Sequence, residues 1–181
     1  IGYKRLIRFS DTSAEKIRVT IKSTRKDANI SNIGLYYAEL LSESQARLRI
    51  SDIPTDNWRC VEMEATEAID GNRATTWHSE GLVPLVVDMG SEEDISGFCY
   101  APTTDNELRG TIFKYRFYTS LDGKEWRLCP TSGEFSNIKH NPIPYFVHFG
   151  TSHRARYFKL ESVCEIDNQV YTSIGEVGIL K

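Results

Sequence analysis

The stretch Glu67–Ser79 constrains the fold most, because it joins a tight turn to a bulky aromatic anchor. Asp70, Gly71 and Asn72 favour a turn, since Gly adopts positive φ freely and Asp and Asn hydrogen-bond their own backbone. The turn is rich in oxygen atoms, and such a loop suits a hard cation such as calcium, which prefers six to eight oxygen ligands. Trp77 follows and is expected to anchor the loop in a hydrophobic core.

The rest of the sequence shows short strand patterns separated by turn signals. Residues Phe113–Phe117 alternate aromatic and basic side chains, which is the period-two pattern of a sheet with one buried face. Asp122-Gly123 predicts a hairpin-type turn, and Phe146–Phe149 predicts a further strand. The second half of the sequence has no convincing long helical pattern. Together these features predict an all-β sandwich of the jelly-roll type.

Two motifs carry a family resemblance. Residues 68–77 read A-x-D-G-N-x-x-T-x-W, and residues 115–126 read Y-x-F-Y-x-S-x-D-G-x-x-W. With the closing strands Ala155–Leu160 and Ile174–Ile179, they resemble the coagulation factor V/VIII type C family. That family is also called discoidin-like, and its bacterial members form carbohydrate-binding module family 32. The resemblance implies a galactose-binding-domain-like jelly-roll β-sandwich.

The resemblance implies two sites. It assigns a structural calcium ion to Asp70, Asn72, Thr75 and Glu176, so that the carboxylate of Glu176 would tie the end of the chain to the loop. The alternative is an Asx-turn without metal, in which a backbone donor satisfies Glu176.

The second implied site is a carbohydrate site. His78 stands where the family's sugar-binding His follows the core Trp, Tyr171 is the expected aromatic platform, and Glu80 and Arg109 are polar partners. Thr103 stands where galactose-binding members carry Arg, which removes a charge-assisted contact. The alternative is that His78 and Tyr171 are ordinary surface residues.

Residues 1–39 resemble the last strands of the C-terminal β-sandwich of α-L-fucosidases, glycoside hydrolase family 29. The strand patterns Tyr3–Phe9, Ile17–Ile21 and Ile30–Tyr37 follow in that family's order. The resemblance implies the remnant of a second sandwich, and three strands are too few for an independent core. The alternative is an unrelated β-hairpin followed by one strand. Residues 40–53 then form a linker, either a short helix or an extended segment, and residues 54–181 form the discoidin-like domain.

Composition excludes several functions. A net charge of −3 argues against nucleic acid as a partner, and no apolar run reaches the length of a membrane span. The four cysteines form no C-x-x-C pair, which argues against a zinc site. Cys99 and Cys164 are expected to be buried thiols. The sequence does not decide whether Cys60 forms a disulfide. No nucleophile or phosphate-loop motif is present, so no catalytic residue is assigned.

The leading interpretation is an ancillary region that binds glycans and holds a secreted or periplasmic bacterial α-L-fucosidase near fucosylated or galactose-containing glycans. The catalytic module of that glycoside hydrolase would lie upstream. The alternative is a purely structural sandwich that packs on the catalytic module. A third interpretation, adhesion to proteins or lipid, is disfavoured because the run Gly81–Pro84 shows no evident apolar spike.

Overall fold

The structure is a computed structural model. It describes residues 13–22, 30, 32–35, 50–61, 64–104 and 108–181. The chain divides into a larger unit that holds residues 48–181 and a smaller unit within residues 6–47. All strands assigned among the described residues lie in the larger unit.

Among its described residues, the larger unit has eight strands and one short 3-10 helix, Thr66–Ala68. No α-helix occurs in the described part of the chain, and none of its helices has the length and apolar character to span a bilayer. The strands are β1 (Arg59–Cys60), β2 (Trp77–Glu80), β3 (Leu85–Ala101), β4 (Ile112–Ser120), β5 (Arg127–Leu128), β6 (Tyr145–Glu165), β7 (Tyr171–Ile174) and β8 (Glu176–Leu180).

The strands form two antiparallel sheets. Six strands pair in the order β1-β3-β6-β4-β5, with β8 joined to β3, while β2 and β7 form a separate two-stranded ribbon. The pairing of β3 with β6 shifts register between Asp88 and Glu93 and again between Ile95 and Gly97. Such bulges bend a long strand, so the first part of β3 pairs with β1 and its last part with β8. The predicted all-β fold is confirmed.

Aromatic residues fill the core. Phe98 stacks on Phe117 with ring centroids 4.1 Å apart, and Tyr115 stacks on Phe135 at 4.2 Å. Tyr115 and Phe117 are the buried members of the alternating pattern in β4, as its period of two predicts. Trp77 is also buried and belongs to the same core, so the turn that precedes it is attached to the sandwich.

Tyr100 connects the large sheet to the ribbon. Its ring is fully buried, and burial raises the pKa of its phenol, which therefore stays protonated. The hydroxyl donates to the carbonyl of Ser173 at 2.9 Å and accepts the backbone N–H of Ile112 at 3.0 Å. This one side chain fixes β7 relative to β3 and β4.

Tyr100→Phe is expected to lower the free energy of unfolding by about 2 kcal/mol, because it leaves a buried N–H and a buried carbonyl without a partner. Urea unfolding of the variant measures this loss. Phe146→Leu, an apolar change at an exposed position of β6, is the control and is expected to stay within about 0.5 kcal/mol of wild type. Equal stability of Tyr100→Phe and wild type would contradict the bridging role.

The end of the predicted linker is part of the sandwich. Ser51 Oγ accepts the N–H of Ile179 at 3.2 Å, and the N–H of Asp52 donates to the carbonyl of Ile179 at 2.7 Å. Gly178 accommodates this close approach, because a Cβ there would overlap the carbonyl oxygen of Ile50. Residues 50–53 therefore extend the domain that we predicted to begin at residue 54, whereas residues 40–49 lie outside the described residues.

In the smaller unit, the predicted strand Ile17–Ile21 is wrong. These residues carry no strand pairing, and Ile17, Val19 and Ile21 are 52%, 57% and 39% exposed. An alternating pattern only favours a strand, and the strand forms when a neighbouring backbone supplies the hydrogen bonds. Residues 32–35 also have no assigned strand. The predicted strand at residues 3–9 lies outside the described residues.

The cysteines differ in burial. All four are free, so the disulfide left open for Cys60 is not formed. Cys99 is fully buried as predicted, and burial raises the pKa of its thiol to about 12. Cys164 is only half-buried, because it lies near the end of β6, where its Sγ donates to Asn168 Oδ1 at 3.0 Å.

Candidate functional site

The loop after the 3-10 helix is organised by Asp70. Its Oδ1 accepts the N–H of Asn72 at 2.7 Å, and its Oδ2 accepts the hydroxyl of Thr75 at 2.8 Å. The Thr75 hydroxyl also lies 2.6 Å from the carbonyl of Asn72, and Asn72 Oδ1 accepts the N–H of Ala74 at 3.1 Å. The predicted Asx-turn is therefore present, and it gathers three of the four predicted metal ligands in one loop.

Glu176, the fourth predicted ligand, is an unusual carboxylate. Its side chain is 2% exposed, and neither carboxylate oxygen has a hydrogen-bond partner of ordinary geometry. Burial, and to a lesser extent the nearby charge of Asp70, raise its pKa to about 8, although the N–H groups of Gly71 and Val177 favour the ionised form. Two backbone donors therefore lie near Glu176, as the metal-free alternative requires, but neither makes a hydrogen bond of ordinary geometry to it.

Asp70 and Glu176 together fit a bound calcium ion. Two neighbouring carboxylates, one of them buried without a partner, are costly unless a cation or a proton compensates them. Calcium accepts carboxylate, amide and carbonyl oxygens, and the loop supplies these from Asn72 and its backbone. No three His, Cys, Asp or Glu side chains form a cluster in the described residues, so such an ion would depend on two carboxylates and neutral oxygens.

The ribbon of β2 and β7 brings together the predicted carbohydrate-binding residues. His78 pairs with Ser173 and Glu80 pairs with Tyr171 in its antiparallel register. Since alternate residues of a strand share a face, His78, Glu80 and Tyr171 lie on one face of the ribbon. Trp77, the neighbour of His78, turns the other way into the core.

Arg109 joins this face from the loop before β4. Its guanidinium carbon lies 3.6 Å from the centroid of the Tyr171 ring, the geometry of a cation–π contact. Arg109 itself is exposed, whereas Tyr171 is half-buried. One face of the predicted aromatic platform is therefore covered by a guanidinium, which the sequence did not indicate.

Ser173, which sequence reasoning missed, orients His78. The Ser173 hydroxyl donates to the carbonyl of Arg109 at 2.5 Å, and its Oγ lies 2.8 Å from Nδ1 of His78. Because the only hydroxyl proton is used on that carbonyl, Nδ1 must carry the proton that it shares with Oγ. In the neutral ring, Nε2 is then the hydrogen-bond acceptor.

Thr103 does not contribute to the exposed face. It is buried, and its hydroxyl lies 3.3 Å from that of Thr76. The end of the ribbon instead carries two exposed apolar side chains, Leu82 and Val170, which are 38% and 64% exposed. Leu82 lies within the run Gly81–Pro84, so our prediction that this run lacks an apolar projection was too strong.

The F5/8 type C domain family matches residues 50–177, which is more than half of the chain. The chain belongs to this family. The resemblance of the 68–77 and 115–126 motifs is thereby confirmed at the level of the domain.

Two curated relatives match part of the chain. A galactose oxidase of Gibberella zeae is 28% identical over 134 residues, which cover 65% of this chain and 18% of the relative. A sialidase of Micromonospora viridifaciens is 29% identical over 143 residues, covering 75% of this chain and 21% of the relative. The chain thus spans about a fifth of the length of these relatives.

Three solved structures share the fold. CpGH89CBM32-5 of Clostridium perfringens, in complex with GalNAc-beta-1,3-galactose, has a TM-score of 0.62 at 22% identity. The match covers 71% of this chain and 99% of the CpGH89CBM32-5 chain. The family 32 module of NanJ from C. perfringens, in complex with galactose, has a TM-score of 0.59 at 24% identity. The match covers 70% of this chain and 96% of the NanJ module. A putative alpha-L-fucosidase of Bacteroides ovatus has a TM-score of 0.57 at 33% identity, covering 80% of this chain and 22% of its own.

Proposed function

We propose that this chain is a non-catalytic carbohydrate-binding region and that its glycan binds on the face of the β2–β7 ribbon. The observation that carries the proposal is the convergence of His78, Glu80, Arg109 and Tyr171 there. These residues come from three separate parts of the sequence, yet strand register and one cation–π contact place them together. We refer to these four residues as the ribbon cluster.

The ribbon cluster has the chemistry that sugars require. Arg109 supplies several N–H donors, Glu80 supplies acceptor oxygens, and the tautomer of His78 sets an acceptor at Nε2. Tyr171 offers an apolar edge for pyranose C–H groups, and a sugar that stacks on its covered face would have to displace Arg109. A few hydrogen bonds and one aromatic contact leave little after the entropy of association, so we expect a Kd of about 0.1 to 1 mM for a single sugar.

The glycan and the parent enzyme are the finer part of the proposal. Galactose-containing glycans are supported by the two family 32 modules that were solved with galactose or a galactoside. Fucosylated glycans and an α-L-fucosidase parent are supported by the B. ovatus structure and by the resemblance of residues 1–39. In this proposal, the upstream catalytic module hydrolyses the glycan in a secreted or periplasmic enzyme, and the ribbon cluster keeps the enzyme near its substrate through effective concentration.

We also propose calcium as a structural cofactor, held by Asp70, Asn72, Thr75 and Glu176. The ion would neutralise the buried carboxylate of Glu176 and join β8 to the loop that leads into β2. Its role is to stabilise the base of the ribbon; sugar contacts are left to the ribbon cluster.

The structural interpretation is the second candidate, and one observation favours it. Arg109 covers a face of Tyr171 at 3.6 Å, as a packing contact between surface residues would also do. Under this interpretation the ribbon binds no sugar, and the domain serves only to pack on the catalytic module.

NMR titration with galactose, N-acetylgalactosamine and fucose separates the two candidates. We expect millimolar or tighter binding of at least one sugar, with shifts centred on Ser173 and its neighbours. His78→Ala and Arg109→Ala should each weaken binding about tenfold, because each removes a protein side chain that hydrogen-bonds the sugar.

His148→Ala is the matched control, since His148 is an exposed histidine on β6, away from the ribbon, and its loss should leave binding unchanged. Binding that is insensitive to both His78→Ala and Arg109→Ala would place the sugar elsewhere. If none of the three sugars binds, the structural interpretation is favoured.

A further inference from the structure

A polar pocket lies on the six-stranded sheet, whereas the ribbon cluster lies on the two-stranded sheet. It has a volume of about 290 Å³ and is lined by Asn57, Arg59, Asp88, Gly90 and Arg156. We call it the Arg59 pocket. Val87 and Phe158, the neighbours of the paired residues Asp88 and Tyr157, are buried in the core, so this pocket opens on the outer face of the sheet.

Strand register explains why charged side chains converge here. Arg59 on β1 pairs directly with Asp88 on β3. The ladder between β3 and β6 then shifts between Asp88 and Glu93, and Arg156 falls in the interrupted part, between the partners Tyr157 and Ala155. The irregularity allows the side chain of Arg156 to lie over the same face as Asp88, as the contact between them shows.

Arg156 is held in a fixed position. Its Nε and Nη2 donate to the two carboxylate oxygens of Asp88, each at 2.8 Å. Its guanidinium carbon also lies 5.3 Å from the centroid of the Tyr157 ring. Arg156 lowers the pKa of the Asp88 carboxyl and Asp88 raises the pKa of Arg156, so both groups are charged at neutral pH. The two-pronged pair leaves Nη1 of Arg156 outside the contact with Asp88.

The charges of the pocket do not cancel. Arg59 and Arg156 contribute two positive charges and Asp88 contributes one negative charge, which leaves one net positive charge in a chain whose overall charge is −3. Both carboxylate oxygens of Asp88 accept hydrogen bonds from Arg156, so Asp88 balances the charge of Arg156. The positive charge of Arg59 is therefore the one that the pocket does not balance. Asn57 adds a side-chain amide. Its backbone lies close to Gly90, because a Cβ on Gly90 would be 3.2 Å from the backbone carbonyl oxygen of Asn57.

From this geometry we propose that the Arg59 pocket binds an oxyanion carried by a small acidic ligand: a sulfate ester, a phosphate ester or a carboxylate. Arg59 and Nη1 of Arg156 donate to the anion, and the Asn57 amide donates beside them. Asp88 does not contact the anion; it positions Arg156. The volume of the pocket suits a ligand about the size of one acidic sugar. This proposal does not depend on sugar binding at the ribbon cluster, because the two sites share no residue.

The test is NMR titration of the full chain with sodium sulfate, sodium phosphate and sodium glucuronate at constant ionic strength, which keeps charge screening the same throughout each titration. We expect saturable shifts of the backbone N–H groups of Asn57, Arg59 and Gly90, and the anion with the lowest Kd identifies the preferred oxyanion. Arg59→Gln should weaken binding at least tenfold, since it removes charge-assisted hydrogen bonds.

Arg154→Gln is the matched control. Arg154 is another arginine of β6 that pairs with surface carboxylates, Glu92 and Asp94, and it does not line the pocket. This variant should bind the anions as wild type does. Arg156→Lys keeps the charge but loses the two-pronged geometry and should also weaken binding, which provides a second variant if Arg59→Gln does not fold.

Equal weakening by Arg59→Gln and Arg154→Gln would overturn the proposal, because it would show general charge attraction. The absence of saturable shifts with all three anions would also overturn it. Galactose titration of Arg59→Gln, read at Ser173, is expected to match wild type, so failure of one site is distinguishable from failure of the other.

Discussion

Calcium is expected to raise the melting temperature of this protein by roughly 10 °C, and Glu176→Gln should remove most of that increase. At a calcium concentration a hundred times its Kd, mass action adds about 2.7 kcal/mol to the free energy of unfolding. For a domain of this size, each kcal/mol shifts the melting temperature by a few degrees. Calorimetric scans in calcium and in a chelator measure the shift, and elemental analysis of the purified protein measures the bound metal.

Glu92→Gln is the control for this experiment. Glu92 is an exposed carboxylate paired with Arg154, so its replacement removes one negative charge without touching the loop. The control should keep the full response to calcium. A response that persists in Glu176→Gln would exclude this carboxylate as a ligand. An unchanged wild-type melting temperature, together with no metal in the protein, would exclude the calcium site.

Sequence reasoning predicted the features that depend on local patterns. The period-two alternation of β4 predicted its buried face. Trp77 is buried in the core, as predicted for the aromatic residue that follows the tight turn. The Asp70 turn was also predictable, because the chemistry of Asp, Gly and Asn acts within a few residues. These features need no knowledge of which strands are neighbours.

The remaining features depend on strand register, which single-sequence patterns do not specify. Ser173 orients His78 only because β2 and β7 pair in one particular register. The stacking of Arg109 on Tyr171 and the convergence of Arg59 with Arg156 likewise require long-range geometry. Residues 17–21 show the opposite failure, because their local pattern favours a strand while no strand is assigned to these described residues.

The metal-free protein is expected to lose stability as the pH rises from about 4.5 to about 8. In the folded state the pKa of Glu176 is raised to about 8 from an ordinary value of 4.5. Between these pH values the folded protein holds a proton that the unfolded chain releases, so the free energy of unfolding falls as pH increases. At about 1.4 kcal/mol per pKa unit, the full loss is at most about 5 kcal/mol, reached above pH 8.

Other groups titrate in the opposite sense and must be separated from Glu176. Burial lowers the pKa of His153, so the free energy of unfolding falls as the pH drops below the pKa that His153 has in the unfolded chain. The lowered pKa of Asp88 has the same effect at still lower pH. The difference between wild type and Glu176→Gln isolates the one carboxylate. In chelator, urea unfolding from pH 5 to pH 8 should show wild type falling relative to the variant, so that Glu176→Gln is the more stable protein at pH 8.

Saturating calcium should reverse this order at pH 8, because a bound cation stabilises the ionised carboxylate that is unfavourable in its absence. Wild type would then exceed Glu176→Gln in stability, while Glu92→Gln would follow wild type in both buffers. Parallel pH profiles of wild type and Glu176→Gln in chelator would contradict the raised pKa. They would show that other groups already compensate the buried carboxylate in the metal-free state.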